Sequence, residues 1–172
     1  MLSHKTFAEK AAWHFVKQEK PSFHGTTINS PLVFGPKTCL NSLNAINTSN
    51  AQIKDLIEGA YREEIEPTGN VYLWVDVPDV ALGHVRAIKV AEAGGQRYIV
   101  TAGHFANHDH VKVIRELYPE LEAKVPPKET SSDMPGGIYG YDNNKSLTVL
   151  GIKYRSLKES ITDTVESLLA VE

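Results

Sequence analysis

Short runs of β-branched and aromatic residues alternate along this chain with longer stretches whose apolar residues recur every three or four positions. A strand-like period of two and a helix-like period of 3.6 cannot share a segment, so the alternation predicts an α/β fold. The helical stretches are the clearest. Phe7, Ala8, Ala11, Ala12, Phe15 and Val16 predict a helix from Ser3 to about Lys20, where Pro21 stops it. Asn47 is placed to cap a helix running through Ile53, Leu56 and Ile57 to Gly59. Asp79 is placed to open another through Val80, Val85 and Ile88, closing at Gly94-Gly95. Asn107 is read as the cap of a helix carrying Val111, Ile114 and Leu117 before Pro119. A short helix is expected around Lys145 to Leu150, ending at Gly151. Ser156-Leu157-Lys158-Glu159 is a capping box in front of the stripe Leu157, Ile161, Val165 and Leu168.

Between these lie the strand candidates Thr26-Thr27-Ile28, Val71 to Val75 and Arg97 to Thr101. Pro126 to Gly140, rich in Pro, Gly, Ser and Asp, reads as a long surface loop. With 172 residues the chain fits one domain spanning 1–172. A net charge of -3 without a basic block excludes a surface built for nucleic acid or anionic membrane. No apolar stretch approaches the roughly 18 residues of a membrane span, and the first residues carry no apolar signal region. The single cysteine, Cys39, permits no internal disulfide and fits a reducing compartment, so a cytoplasmic protein is expected. Cys39 has no neighbour to activate it as a nucleophile.

Several motifs, taken in order, resemble one family. His4-Lys5-Thr6-Phe7-Ala8-Glu9-Lys10-Ala11-Ala12-Trp13 is similar to the catalytic helix of the extended short-chain dehydrogenases/reductases, in the dihydroflavonol-reductase-like branch that includes methylglyoxal and other carbonyl reductases. Asn29-Ser30-Pro31-Leu32-Val33-Phe34-Gly35-Pro36 resembles that branch's Asn-Pro-x-x-Val-Phe-Gly-Pro segment. Asn47-Thr48-Ser49, Val75-Asp76-Val77-Pro78-Asp79-Val80-Ala81 with His84, Gly95 to Val100 and Leu150 to Ser160 follow in family order, so the resemblance covers nearly the whole chain.

The resemblance implies the C-terminal part of a Rossmann-type NAD(P)-binding fold with its small substrate-binding subdomain. It also implies NADP as cofactor and a small carbonyl compound as substrate. Carried over by position, Lys5 matches the catalytic lysine that binds the nicotinamide ribose and favours the tyrosinate form of the proton donor. Pro31 and Val33 match the backbone beside the nicotinamide, and Ser49 a position near the cofactor phosphates. The departures are equally specific. Met1 stands where the family has its catalytic tyrosine, Ser30 intrudes between Asn29 and Pro31, and Pro78 replaces a common arginine. No Gly-x-x-Gly-x-x-Gly lies between a strand and a helix, so the glycine-rich N-terminal half and its pyrophosphate site are expected to be absent.

Two readings follow from this. One is a truncated reductase, inactive alone; the other is a non-catalytic remnant that binds or interacts through an exposed sheet edge, including with itself. His104, His108, Asp109 and His110 do not have the spacing of a structural zinc site, and no metal is expected. Asp76 and Asp79 resemble a carboxylate pair, but the capping role accounts better for Asp79. Tyr139 and Tyr141 read as surface aromatics placed to line a substrate mouth.

Overall fold

The computed structural model describes residues 2–36, 46–127 and 131–170; Met1 and Cys39 lie outside the described residues. The chain opens with helix α1 (Leu2–Glu19), followed by strands β1 (Thr27–Asn29) and β2 (Leu32–Phe34) and helix α2 (Thr48–Glu58). Strand β3 (Leu73–Asp76) runs directly into α3 (Val77–Lys89). Strands β4 (Arg97–Ile99) and β5 (Gly103–His104) precede α4 (Asn107–Leu117), the short α5 (Asn144–Thr148) and α6 (Leu157–Leu169).

β1 and β4 pair in parallel, with Ile28 opposite Tyr98. β2 and β3 also pair in parallel, Phe34 opposite Asp76, and β5 adds to β3 antiparallel. Because side chains alternate along a strand, β1 and β4 present different residues to their two faces. Thr27, Asn29 and Arg97 meet α1 through Glu9, which accepts from Thr27 Oγ1 at 3.1 Å and from Arg97 Nε at 2.7 Å. Those hydrogen bonds outweigh the burial that works against the charge, and Glu9 is held below the usual carboxylate range. Ile28, Tyr98 and Val100 turn to the other face, against Val80 and Ala87 of α3 and the segment carrying Leu150 and Ile152. A second core joins α2, α4 and α6 to the β2–β3–β5 sheet, with Phe34, Ile53, Trp74, Phe105, Ile114, Ile161 and Val165 all buried.

Several expectations from sequence need correction at their ends. Gly59, at φ 90°, ends α2 as read, but the Asn47 side chain makes no cap bond. Its amide instead donates to the Val33 carbonyl at 3.5 Å. The N-cap of α3 is Asp76, and Asp79 lies within the first turn. α3 stops at Lys89, and a separate tight turn, Ala91–Ala93, fills the space before Gly94. Ala106, not Asn107, is the N-cap of α4, where its N–H is satisfied by the Asp109 carboxylate at 2.8 Å. Asn107 is drawn inward, donating from its side chain to the Glu66 carbonyl at 2.9 Å. The capping box of α6 forms as written in the sequence: Ser156 Oγ accepts from Glu159 N–H, and Ser156 N–H donates to the Glu159 carboxylate. Such a cap is worth about 1 kcal/mol.

α1 presents an unexpected face. Glu9, Trp13 and Val16 are its half-buried positions, whereas Phe7 and Phe15 are 66% and 51% exposed. Apart from Val16, the stripe that periodicity identifies as apolar therefore points away from the sheet.

Candidate functional site

α1 and β1 run antiparallel. A side chain on Gly25 would touch Val16, whereas Glu9 reaches as far as Asn29, whose Nδ2 lies 3.5 Å from its carboxylate. Lys5 is one helical turn, about 6 Å, further in the same direction. The exposed Lys5 is thereby placed past the carboxyl end of β1, toward Pro31. Val33 lies in the middle of β2, paired with Val75. Ser49 is buried in the first turn of α2, between Asn47, whose amide contacts the Val33 carbonyl, and Asn50, whose Nδ2 donates to the Gly35 carbonyl at 2.8 Å. Asn47 and Asn50 thus tie the first turn of α2, which carries Ser49, to the Val33 and Gly35 carbonyls, and the antiparallel run of α1 directs Lys5 toward the strand end at Pro31.

An ammonium group, a stretch of strand-end backbone and a hydroxyl in a helix's first turn suit sugar, carboxamide and phosphate oxygens. No comparable cradle for a pyrophosphate is present among the described residues. Among the described residues the β3–α3 junction, where a strand runs directly into a helix, is filled by the buried side chains of Asp76 and Asp79.

Those carboxylates belong to a polar cluster that sequence reading misassigned. Asp76 is fully buried, and its two oxygens accept from Ser160 Oγ at 2.6 Å and from Arg155 Nη1 at 2.9 Å. Arg155 also donates from Nη2 to Asp163 at 2.6 Å and from its backbone N–H to Asp79 at 3.0 Å. Burial, with the adjacent charge of Asp76, raises the Asp79 pKa against the opposing Arg155 N–H. The hydrogen bond to Asp163 raises Arg155 further, keeping the guanidinium charged. Asp79 resembles a helix cap in sequence. Arg155 gives no local signal, because its partner is 79 residues away.

The loop residues 131–141 are fastened to the edge of the β2–β3–β5 sheet. The Asp133 carboxylate accepts from Thr68 N–H and Oγ1, both at 2.6 Å. The Tyr139 hydroxyl accepts from Tyr72 N–H at 2.9 Å, and His104 Nε2 donates to the Tyr139 carbonyl at 2.8 Å. Tyr141 tilts over the His104 ring with centroids 5.3 Å apart. His110 is remote from His104, since its ring lies between Phe34 and Phe105 in the core. No group of three or more metal-ligating side chains forms among the described residues.

Parallel strands with helices on both faces, and candidate ligand groups at their carboxyl ends, define a piece of a doubly wound α/β domain. Comparison with known proteins narrows the class. The chain is 45% identical over 166 residues to a ketoreductase of Aspergillus niger, covering 96% of this chain and 49% of the relative. It is 35% identical over 173 residues to the NADPH-dependent methylglyoxal reductase of Saccharomyces cerevisiae, covering 98% and 50%. The crystal structure of the yeast methylglyoxal/isovaleraldehyde reductase complexed with NADPH superposes with a TM-score of 0.83 at 32% identity, over 95% of this chain and 48% of that one. No family model matches. Over nearly its whole length the chain is similar to methylglyoxal and carbonyl reductases of the short-chain type, and it matches the C-terminal half of their fold. It spans about half the length of the curated relatives it matches. No helix among the described residues is long and apolar enough to cross a membrane.

Proposed function

We propose that residues 1–172 form, as one domain, the substrate-side half of a cytoplasmic NADPH-dependent reductase of small aldehydes, ketones or diketones. The observation that carries this reading is the position of Lys5, one turn beyond Glu9 at the carboxyl end of β1, together with the likeness to NADPH-dependent relatives. Lys5 binds the nicotinamide ribose through its ammonium group. The backbone of Pro31 and Val33 lies along the nicotinamide, and the Ser49 hydroxyl meets a phosphate. When bound, NADPH supplies the hydride for the carbonyl carbon. The proton for the carbonyl oxygen needs a donor that Met1, at the family's tyrosine position, does not offer.

This reading sets an expected result for the 172-residue chain alone. Losing a proton donor removes about 10² to 10⁴ in rate. Two contacts to charged or sugar oxygens, each about 1.5–3 kcal/mol before association entropy, leave binding at about millimolar or weaker. The chain alone is therefore expected to show no NADPH oxidation with methylglyoxal above a Lys5→Ala control. Titration calorimetry should detect NADPH only when an N-terminal half from a related reductase is co-expressed. Micromolar binding by the chain alone, or no binding by the completed pair, overturns the reading.

Self-association is part of the same proposal. Among the described strands β1 pairs only with β4, leaving its second edge open, and α1 exposes Phe7 and Phe15. Open edges and apolar stripes of this kind draw a partner. The isolated chain should elute above its monomer mass in sizing and return to a defined pair on co-expression. A sharp monomer peak with cooperative melting contradicts this.

A further inference from the structure

The geometry points to Asp76, held by Ser160 and Arg155, as the positioning residue for the segment Val33 to Gly35. In the parallel register Asp76 lies opposite Phe34, so its side chain sits at the step where β2 turns out of the sheet. Gly35 takes φ 134° there and packs onto the carboxylate so closely that a β-carbon would come within 2.5 Å of Asp76 Oδ1. The opposite side of the segment is held by Asn50, 1% exposed, through the Gly35 carbonyl. The backbone that carries Val33 is thus clamped between α2 and a carboxylate.

Asp76 would not hold its place alone. A fully buried carboxylate needs its oxygens occupied, and each here has one donor: the Ser160 hydroxyl on Oδ1 and the Arg155 guanidinium on Oδ2. Arg155 is fixed in turn by Asp163 and, through its backbone, by Asp79. A buried ion pair is seldom a gain over apolar packing of the same volume, whereas it specifies one geometry. The geometry it specifies is that of the β2 exit. This rests on the reading above, in which that segment lies along the nicotinamide; Asp76 itself touches no cofactor and acts through Gly35.

The test uses Ser160→Ala, which removes one donor from a buried small side chain, beside Asp76→Asn, with Arg155→Lys as the variant that keeps the charge. Amide hydrogen exchange in the 172-residue chain should rise at least tenfold at Phe34, Gly35 and Asn50 in Ser160→Ala, while Ile114 and Val111 in α4 change less than twofold. Arg155→Lys should give an intermediate local effect. A uniform rise across all these amides, or none, overturns the proposal, since a merely structural role loosens the whole core. If Asp76→Asn does not fold, Ser160→Ala alone decides. In the chain completed with a co-expressed N-terminal half, the NADPH dissociation constant should rise about tenfold in Ser160→Ala. Equal affinity in variant and parent refutes the positioning role. Failure of the completed parent to bind NADPH refutes the cofactor reading instead, and the exchange pattern still decides whether Asp76 holds the segment.

Discussion

Acidification is expected to cost the folded chain about 1.4 kcal/mol per pH unit below pH 6.5 through His110 alone. Its ring is fully buried, with centroids 4.7 Å from Phe34 and 5.1 Å from Phe105, stacked on the latter at 24°. Neither ring nitrogen has a hydrogen-bond partner among the described residues. A charge placed there has neither water nor a carboxylate to meet it, and burial drives the pKa down to about 3. The sign follows from that depression. Below pH 6.5 the unfolded chain takes up a proton that the folded chain refuses, so stability is fully present above that value and is lost as pH falls toward 3. Asp79, raised by burial, works in the opposite sense as pH falls, so the comparison with His110→Leu, rather than the pH window, separates the histidine's share. Urea melts at pH 7 and at pH ~5 should differ by about 2 kcal/mol in the parent and far less in His110→Leu. Equal slopes in both proteins exclude His110 as the source.

Gly35→Ala should be among the most damaging single changes to the chain. The backbone there holds φ 134°, a region that costs a residue with a side chain about 1–3 kcal/mol. The new methyl would also displace the Asp76 carboxylate from its two donors, and breaking a buried pair costs about 3–5 kcal/mol. A loss of about 3 kcal/mol or more is expected, a large share of the 5–15 kcal/mol that holds a typical domain together. Gly95→Ala is the matched control. It also has positive φ, 72°, but a β-carbon there would meet nothing within 4 Å, so only the conformational cost of about 1 kcal/mol applies. Chemical denaturation of the two variants side by side reads the difference. If both lose the same stability, the carboxylate is not what keeps the site at glycine.

The family's motifs were legible because they are local words of sequence, and their order carried the C-terminal placement, as alternating periodicity carried the α/β assignment. Helix limits were legible wherever near neighbours decide them. Ser156 and Glu159 cap each other across one turn, Gly59 supplies the left-handed exit of α2, and Pro21 lies just beyond the end of α1. Caps failed where a distant group claimed the residue. Asn47 turned to Val33, Asn107 to Glu66, and Asp79 to the backbone of Arg155, 76 residues away. A polar side chain beside a helix start satisfies the same local pattern whether it caps or is drawn into the core, and only its tertiary partner separates the two.

Periodicity likewise identified the apolar stripe of α1 but not its direction. Hydrophobic spacing says which residues share a face, whereas Glu9's bonds to Thr27 and Arg97 turn the opposite face to the sheet. The candidate cofactor positions came from motif order. Their junction with Asp76, Ser160 and Arg155 came from the parallel register of β2 on β3 and from the return of α6, contacts spanning 79 and 84 residues. Sequence by itself therefore determined the elements, their order and their kinship, because those depend on interactions within a few residues. Which carboxylate is buried, which donors hold it and which face of a helix meets solvent were decided only by tertiary packing, because those depend on register between strands far apart in the chain.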